Sequence, residues 1–444
     1  MHHNVEENKR AQGGKDMQAH SAQILAFPDQ QPEEMFNSKA AMPKKTKRLS
    51  SSAVKSRLPV VLSAMKHIRH GQLDLILPDG NKAVYEGKEP GPSAIMHVRD
   101  WKVFKRIFTH GDIGLGEDYI RGLWDASDLK NFMRVAVENI HAFENFISGN
   151  IVYRTLFALK NKLRPNTCKG SRKNIHDHYD LGNDFYRLWL DESMTYSGAL
   201  FRGEPSKSLK EAQKAKYRRI LNRLSPMPGD RILEIGCGWG GFMEEAAANG
   251  FRVTGVTIST EQAEFARKRL QKAGLGKLAE VRLQDYRAVP EQYDHIVSIG
   301  MFEHVGEEFW AEYMSTVRKH LKPGGKAMIQ TIIVRDDLFA DYRKGSDFIR
   351  EHIFPGGMLP SRKRFEQEAA KAGLTVNDVF HFGQDYAITL EKWLDNFDAR
   401  IEDIKAMGYC DKFIRKWRFY LTSCAAMFRA GRIDLMQVEL LRDE

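Results

Sequence analysis

Short apolar runs alternate with amphipathic stretches through the second half of this chain. The runs Arg231–Ile235, Phe251–Thr257, Leu278–Leu283, Tyr293–Ile299 and Lys326–Ile333 have strand length and composition, and helical spacing separates the earlier ones. Thr260–Ala273 predicts a helix capped by Ser259 or Thr260, and Leu321-Lys322-Pro323-Gly324-Gly325 ends another before the fifth strand. Strands and helices alternating at this interval imply a parallel sheet covered on both faces, an α/β fold. A long excursion, Asp336–Ala370, follows the fifth strand. Two aromatic-rich helical stretches, Tyr386–Met407 and Asp411–Ala430, then lead to a last strand at Ile433–Leu441.

The first part is patterned differently. Leu73, Leu75 and Leu77 alternate with polar residues and end on Pro78-Asp79-Gly80, a strand and a turn. Apolar patches continue through Val98–Trp124 and Leu129–Ile151, the second mostly helical. The pattern predicts a small α+β unit over residues 53–160, a basic linker over 161–173 and the main domain over 174–444. Residues 1–52 are polar, then basic, and predict a disordered tail.

The chemistry starts at Ile232-Leu233-Glu234-Ile235-Gly236-Cys237-Gly238-Trp239-Gly240-Gly241, a buried strand, a glycine turn and a helix start at Phe242. In an open α/β sheet a ligand binds outside the carboxyl end of such a strand, facing the next helix. Gly236, Gly238 and Gly241 also fit the dinucleotide spacing G-x-G-x-x-G. The following strand weakens that reading, because it ends on Thr257 where dinucleotide enzymes carry an acid for the ribose. Glu234 instead fits the first motif of S-adenosylmethionine-dependent methyltransferases, where it can reach the amino-acid end of the ligand.

Charge adds a partner to this picture. The net charge is +10 and the pI about 9.2, and Pro43 to Leu73 contains no acidic residue. Within Leu58–His70, Val61, Leu62, Met65 and Ile68 recur at helical spacing between cations, predicting an interfacial helix on anionic lipid. No apolar run reaches the roughly 18 residues of a spanning helix, and the start lacks the apolar core of a secretory signal. Cys168, Cys237, Cys410 and Cys424 have no C-x-x-C spacing, which speaks against a disulfide framework or a metal site. With no nucleic-acid-binding motif, no nucleic-acid partner is expected. The expected home is the cytoplasm, at the inner face of the membrane.

Several motifs then occur in order: His178-Tyr179-Asp180-Leu181-Gly182-Asn183-Asp184-Phe185-Tyr186, Met194-Thr195-Tyr196-Ser197, the glycine loop, Gly255-Val256-Thr257 with Gln262, Gln284-Asp285-Tyr286-Arg287, Ser298-Ile299-Gly300-Met301-Phe302-Glu303-His304-Val305-Gly306, Phe354-Pro355-Gly356-Gly357-Met358-Leu359-Pro360-Ser361 and Cys424-Ala425-Ala426-Met427-Phe428-Arg429. From Asn174 onward the chain resembles the cyclopropane fatty acid synthase family, which includes the mycolic acid cyclopropane synthases. The resemblance implies a Rossmann-like class I methyltransferase sheet, mostly parallel with seven strands, carrying helical lid insertions. It implies S-adenosylmethionine as cofactor, held by Tyr196, Ser197, Glu234, Gly236, Gly238, Thr257, Ile258, Gln262, Asp285, Tyr286 and Ile299. It implies a cis-unsaturated acyl chain of a membrane phospholipid as substrate, a peripheral contact with an anionic membrane surface, and a homodimer. The alkene would take the sulfonium methyl, and a base would then remove a proton from the resulting cation. Tyr179, Phe302, Phe354, Tyr386 and Trp393 are candidate aromatic faces for that cation, although core packing is the plainer reading of Phe354 and Trp393.

Glu303 is the predicted acid of the site, and in the family this glutamate helps hold a bicarbonate base. Tyr386 and Tyr179 are predicted beside it. Here the chain departs from the pattern: the cysteine expected after Tyr-Ser is Gly198, and the histidine of the usual His-Thr-Ile is Gln330. Either Gln330 donates its amide to the ion, or the ion is absent and Glu303 or water takes the proton. The outcome of methyl transfer could then be a methylated alkene or methylene rather than a ring. Competing readings are a small-molecule methyltransferase on this scaffold and an inactive lipid-binding protein. Cys424, on an Ala/Met/Phe helix face, reads as packing.

Overall fold

The computed structural model describes residues 58–142 and 181–444, so the predicted tail over 1–52, the linker over 161–173 and Tyr179 lie outside the described residues. The first unit runs α1 (Leu58–Met65), β1 (His70–Ile76), β2 (Lys82–Glu86), β3 (Glu89–Val98), α2 (Lys102–Ile120), β4 (Trp124–Ala126) and α3 (Leu129–Glu138). Its sheet has the order β2-β1-β3-β4, with β1 antiparallel to β2 and parallel to β3. The alternation in β1 buries Leu73 and Leu75, as period-2 patterning requires. The apolar stripe read as facing lipid is used differently. Ala64, Met65 and Ile68 are buried and Leu62 packs against the same core, which leaves Lys66, His67 and Arg69 exposed.

The second unit continues with α4 (Asn183–Arg187), α5 (Leu209–Leu224), β5 (Arg231–Ile235), α6 (Gly241–Ala248), β6 (Arg252–Thr257), α7 (Thr260–Lys272), β7 (Ala279–Leu283), β8 (Tyr293–Ile299), α8 (Phe302–Val305), α9 (Trp310–His320) and β9 (Leu321–Val334). After β9 come α10 (Asp336–Lys344), α11 (Phe348–His352), α12 (Arg362–Lys371), β10 (Thr375–His381), α13 (Gly383–Ala399), α14 (Ile401–Ala406), α15 (Asp411–Arg429) and β11 (Ile433–Leu441). The seven-stranded sheet has the order β10-β11-β9-β8-β5-β6-β7. Strands β5 to β9 are parallel, and β11 is antiparallel to both β9 and β10. The fold is therefore the expected mostly parallel α/β sheet, with α10 and α11 as insertions. Strand order reverses between β5 and β8, the place where such sheets open a crevice for a ligand.

The pattern did not separate β2, β3 and β4 within the first unit, and in the seven-stranded sheet it missed one strand. β10 is an edge strand with alternating exposed residues, so Thr375–His381 offers no apolar run. The helical stretch Tyr386–Met407 breaks at Arg400 into α13 and α14. The helix predicted at Thr260 is capped by Ser259, whose hydroxyl accepts from Gln262 N at 3.3 Å. The first unit shares one apolar core with α13 and α15, running from Leu75 and Trp124 to Trp393 and Trp417. Arg415 on α15 fixes that contact, donating to Trp124 O at 2.9 Å and to Asp125 Oδ2 at 3.0 Å.

Candidate active site

A cleft at the carboxyl ends of β5, β6, β7 and β8 encloses about 1440 Å³ of space, counting its solvent-open mouth. Every residue predicted to hold the cofactor lines it. β5 supplies Glu234, and the turn after it supplies Gly236 and Gly238, whose φ values of 79° and 52° suit glycine. The end of β6 supplies Thr257 and Ile258, and α7 supplies Gln262, which accepts from Thr257 Oγ1 at 3.0 Å. Asp285 and Tyr286 follow β7; Arg287 grips the Asp285 carboxylate with bonds of 2.9 and 2.7 Å. Ile299 ends β8, and Tyr196 and Ser197 cover the cleft from the loop before α5. The residues fit an adenosyl amino acid. Glu234 is buried, and its Oε2 has no hydrogen-bond partner among the described residues, an acceptor left for a ligand ammonium.

Sequence reasoning missed what holds that cover loop. Gln213, Lys216 and Tyr217 lie on one face of α5, at the i, i+3, i+4 spacing of a buried stripe. Gln213 Nε2 donates to Ser197 O at 2.8 Å, Lys216 Nζ donates to Ser197 Oγ, and the Tyr217 and Thr195 hydroxyls are 2.8 Å apart. The signal was available, because amide and ammonium groups on the inward face of an amphipathic helix need buried partners. The same packing explains Gly241, where a Cβ would lie 2.7 Å from the Tyr217 hydroxyl.

The surroundings of the predicted acid are built on β9. Glu303, on α8, is 4% exposed; Thr331 Oγ1 donates to its Oε2 at 2.8 Å, and Ile332 N reaches its Oε1 at 3.4 Å. Burial pushes its carboxyl up to about 7, against those hydrogen bonds. Beside it, burial alone pulls His304 down to about 4, so the imidazole is neutral. The His304 ring lies 4.9 Å from Phe354, edge to face, and both line the cleft. Among the described residues no cation opposes the Glu303 charge at close range, which leaves a carboxyl able to exchange a proton near neutral pH.

Gln330 does not face Glu303 in the way a neighbour of Thr331 might suggest. Successive β9 side chains point to opposite faces. Gln330 instead meets Gln437 on β11, whose Nε2 donates to Gln330 Oε1 at 3.0 Å. Arg219 donates to Gln437 Oε1 at 2.8 Å, and because arginine cannot accept, both amides are oriented by it. Gln330 Nε2 is left buried without a partner among the described residues. Tyr386, on α13, packs over Gly198. A Cβ at Gly198 would lie 2.7 Å from Tyr386 Cγ and 2.6 Å from Leu435 Cδ2, so the space of the missing cysteine is already filled.

The aromatic candidates divide. Tyr386 meets Trp393 edge-on at 6.0 Å and Phe428 at 4.7 Å, and Trp393 lies 5.3 Å from Tyr196. Tyr196 and Tyr420 hydroxyls are 2.8 Å apart, and Phe354 lies 5.8 Å from Tyr420. These rings form one wall between the cleft and the α13–α15 pair. Phe302 is not part of it. Fully buried, it packs against Trp310, Tyr313 and Phe365 in a separate core cluster, because α8 turns it away from the cleft.

Residues 167–438 match the family described as mycolic acid cyclopropane synthetase. The chain is 34% identical over 418 residues to tuberculostearic acid methyltransferase UfaA1 of Mycobacterium tuberculosis, covering 91% of this chain and 94% of that protein. It is 38% identical over 357 residues to cyclopropane-fatty-acyl-phospholipid synthase of Escherichia coli K12, covering 79% and 88% respectively. Among solved structures, mycolic acid cyclopropane synthase CmaA1 complexed with SAH and CTAB superposes with a TM-score of 0.57 at 34% identity, over 61% of this chain and 98% of that one.

Proposed function

This chain belongs to the mycolic acid cyclopropane synthetase family and is an S-adenosylmethionine-dependent methyltransferase; from that premise we propose that it methylates the double bond of unsaturated acyl chains in membrane phospholipids. The observation that carries the reading is the buried Glu303, with no opposing cation among the described residues, next in sequence to the cleft-lining His304. When bound, S-adenosylmethionine supplies an electrophilic methyl group. The chain's own residues must then tolerate a cation on the acyl chain and accept a proton from it. Aromatic faces would do the first, each at about 0.5–2 kcal/mol in a dry site; Tyr196 and Phe354 line the cleft, Tyr386 stands in the ring wall behind them, and the fully buried Trp393 keeps its plainer reading as core. Glu303 does the second, being ionised at and above neutral pH while buried enough to act as a base.

The residues present do not reproduce a bicarbonate site. Gly198 offers no side chain and no space, Gln330 Oε1 is engaged by Gln437, and both Glu303 oxygens accept from Thr331 and Ile332. No step is therefore assigned to that ion. Proton loss from the delivered methyl would close a cyclopropane; loss from a neighbouring carbon would leave a methylated alkene, and a methylene would form only where a hydride first shifted to the cationic carbon and the methyl then lost its proton. The filled Gly198 space favours the second outcome, and a relative named for tuberculostearic acid is compatible with it.

The proposal extends to location. No helix among the described residues is long and apolar enough to cross a membrane. The exposed Lys66 and Arg69 of the first unit would meet an anionic leaflet from the cytoplasmic side, worth about 1 kcal/mol per cation near the surface. A homodimer would double that contact. The deciding experiment incubates purified protein with S-adenosylmethionine and vesicles of unsaturated anionic phospholipid. Release of S-adenosylhomocysteine together with acyl chains heavier by one CH2 unit is expected, and NMR of the product distinguishes ring from alkene. No release, or no change in any acyl chain, would overturn the lipid reading.

A further inference from the structure

Lys216 is fully buried, and among the described residues it makes no ion pair. Its Nζ donates to Ser197 Oγ, and its ring neighbour is Tyr217, 4.8 Å from the ammonium. Asp191 and Glu234 favour its charge, yet neither closes an ion pair with it among the described residues, so the ammonium remains costly to bury, and an apolar side chain at this position of α5 would pack without that penalty. Glu234, whose charge and that of Lys216 favour one another, is a buried carboxylate with an unpartnered Oε2 among the described residues. Ser197 and Glu234 both line the cleft, and Lys216 stands directly behind Ser197. The two charges act on one another without closing an ion pair, and together they are complementary to one chemical class, a free α-amino acid carrying both an ammonium and a carboxylate.

We propose that Lys216 is the counter-charge for the carboxylate of the methyl donor's amino-acid end, acting through the Ser197 hydroxyl, with Glu234 receiving the ammonium. Lys216 is thus a positioning residue of the cofactor site. Burial pulls its ammonium down to about 7 and pushes Glu234 well up, and a bound zwitterion would relieve both. The nucleoside end of the donor needs neither charge. This separates the role from simple support of the cover loop, which would affect every ligand alike. The inference rests on the donor that the cleft binds and is independent of the acyl substrate.

Calorimetric titration of wild type and Lys216→Met with S-adenosylhomocysteine and with 5′-methylthioadenosine, which lacks the amino-acid end, tests this. Loss of one charge-assisted hydrogen bond should weaken S-adenosylhomocysteine about tenfold or more and leave 5′-methylthioadenosine within about twofold. Equal weakening of both ligands would make Lys216 a structural prop, and unchanged S-adenosylhomocysteine would remove it from the site; either overturns the proposal. Should Lys216→Met not fold, the wild type is titrated with decarboxylated S-adenosylhomocysteine. Affinity at least about tenfold lower than for the parent supports the carboxylate contact, and equal affinity overturns it. Folded wild type that binds none of the three would overturn this proposal and the donor reading together.

Discussion

The two sides of the cleft are held by different means. On the donor side the shape is set by backbone: strand ends of a parallel sheet, a turn whose glycines take positive φ, and a helix start at Gly241 with no room for a side chain. On the proposed acceptor side, behind the cleft lining, the shape is set by side chains from distant parts of the chain, Tyr386 over Gly198 and Gln437 against Gln330. Backbone solutions tolerate little change, because each glycine answers a steric demand. Side-chain solutions can be rebuilt by swapping neighbours, provided volume is conserved. A family that keeps one donor and varies what becomes of the acceptor would place its constancy and its variation on these two sides.

The strongest way to break that contrast is Glu303→Gln. The amide keeps the bond from Thr331 and removes the base, so product formation should fall by a factor of about 10² to 10⁴, while S-adenosylhomocysteine affinity, measured by calorimetry, stays within about twofold because no donor-side contact changes. Loss of binding in parallel with activity would show that the two sides are one site.

A pH series sharpens the same point. Burial raises the Glu303 carboxyl to about 7, and its ionised form is the base. The rate should therefore fall about tenfold per unit as pH drops below 7, and the profile should lose that inflection in Glu303→Gln, although the residual rate is low. The stability sign is opposite. Between the ordinary 4.5 and the folded value of about 7, the unfolded chain has lost a proton that the folded chain keeps, so Glu303 contributes less stability as pH rises through that window. Thermal melts of wild type should show this slope, and Glu303→Gln should flatten it.

The contrast also explains what could be read in the sequence. Gly236, Gly238, Thr257, Gln262 and Asp285 were legible because strand ends and turns write their needs into residue type at short spacing. β10 was not, since an edge strand with exposed alternate residues carries no apolar run. Gln330 was found by position but not by orientation, because its amide is turned by Gln437 and Arg219, residues far along the chain. Phe302 shared a motif with Glu303, yet one helical step separates a ring packed on Trp310 from a carboxyl held by Thr331 of β9. Lys216 was legible in principle, as a cation on a buried helical face, and went unread because α5 carries no motif.

A smaller effect is expected from restoring the cysteine at position 198. On a freely adaptable scaffold Gly198→Cys would recover an ion contact. Here the new Cβ meets Leu435 at 2.6 Å and the Tyr386 ring at 2.7 Å, so it should destabilise the protein by about 1–3 kcal/mol. The melting temperature should drop, and the ratio of ring to alkene should not rise. Adding Leu435→Ala makes room, and a rise in cyclopropane only in the double variant would confirm that packing, not chemistry, closed the position.

The smallest effect belongs to Cys424, on α15 and so on the acceptor side by location. Methyl transfer to an alkene needs no covalent nucleophile, and burial pushes this thiol well above its ordinary range, away from the reactive thiolate. It is only half-buried by surface area, and it packs at the edge of the shared apolar core. Cys424→Ser exchanges a weakly polar sulphur for a hydroxyl of similar size, so activity should remain within about twofold and stability within about 1 kcal/mol. A near-complete loss of product with the melting temperature unchanged would place sulphur chemistry on the acceptor side and end the view that this side differs only in packing.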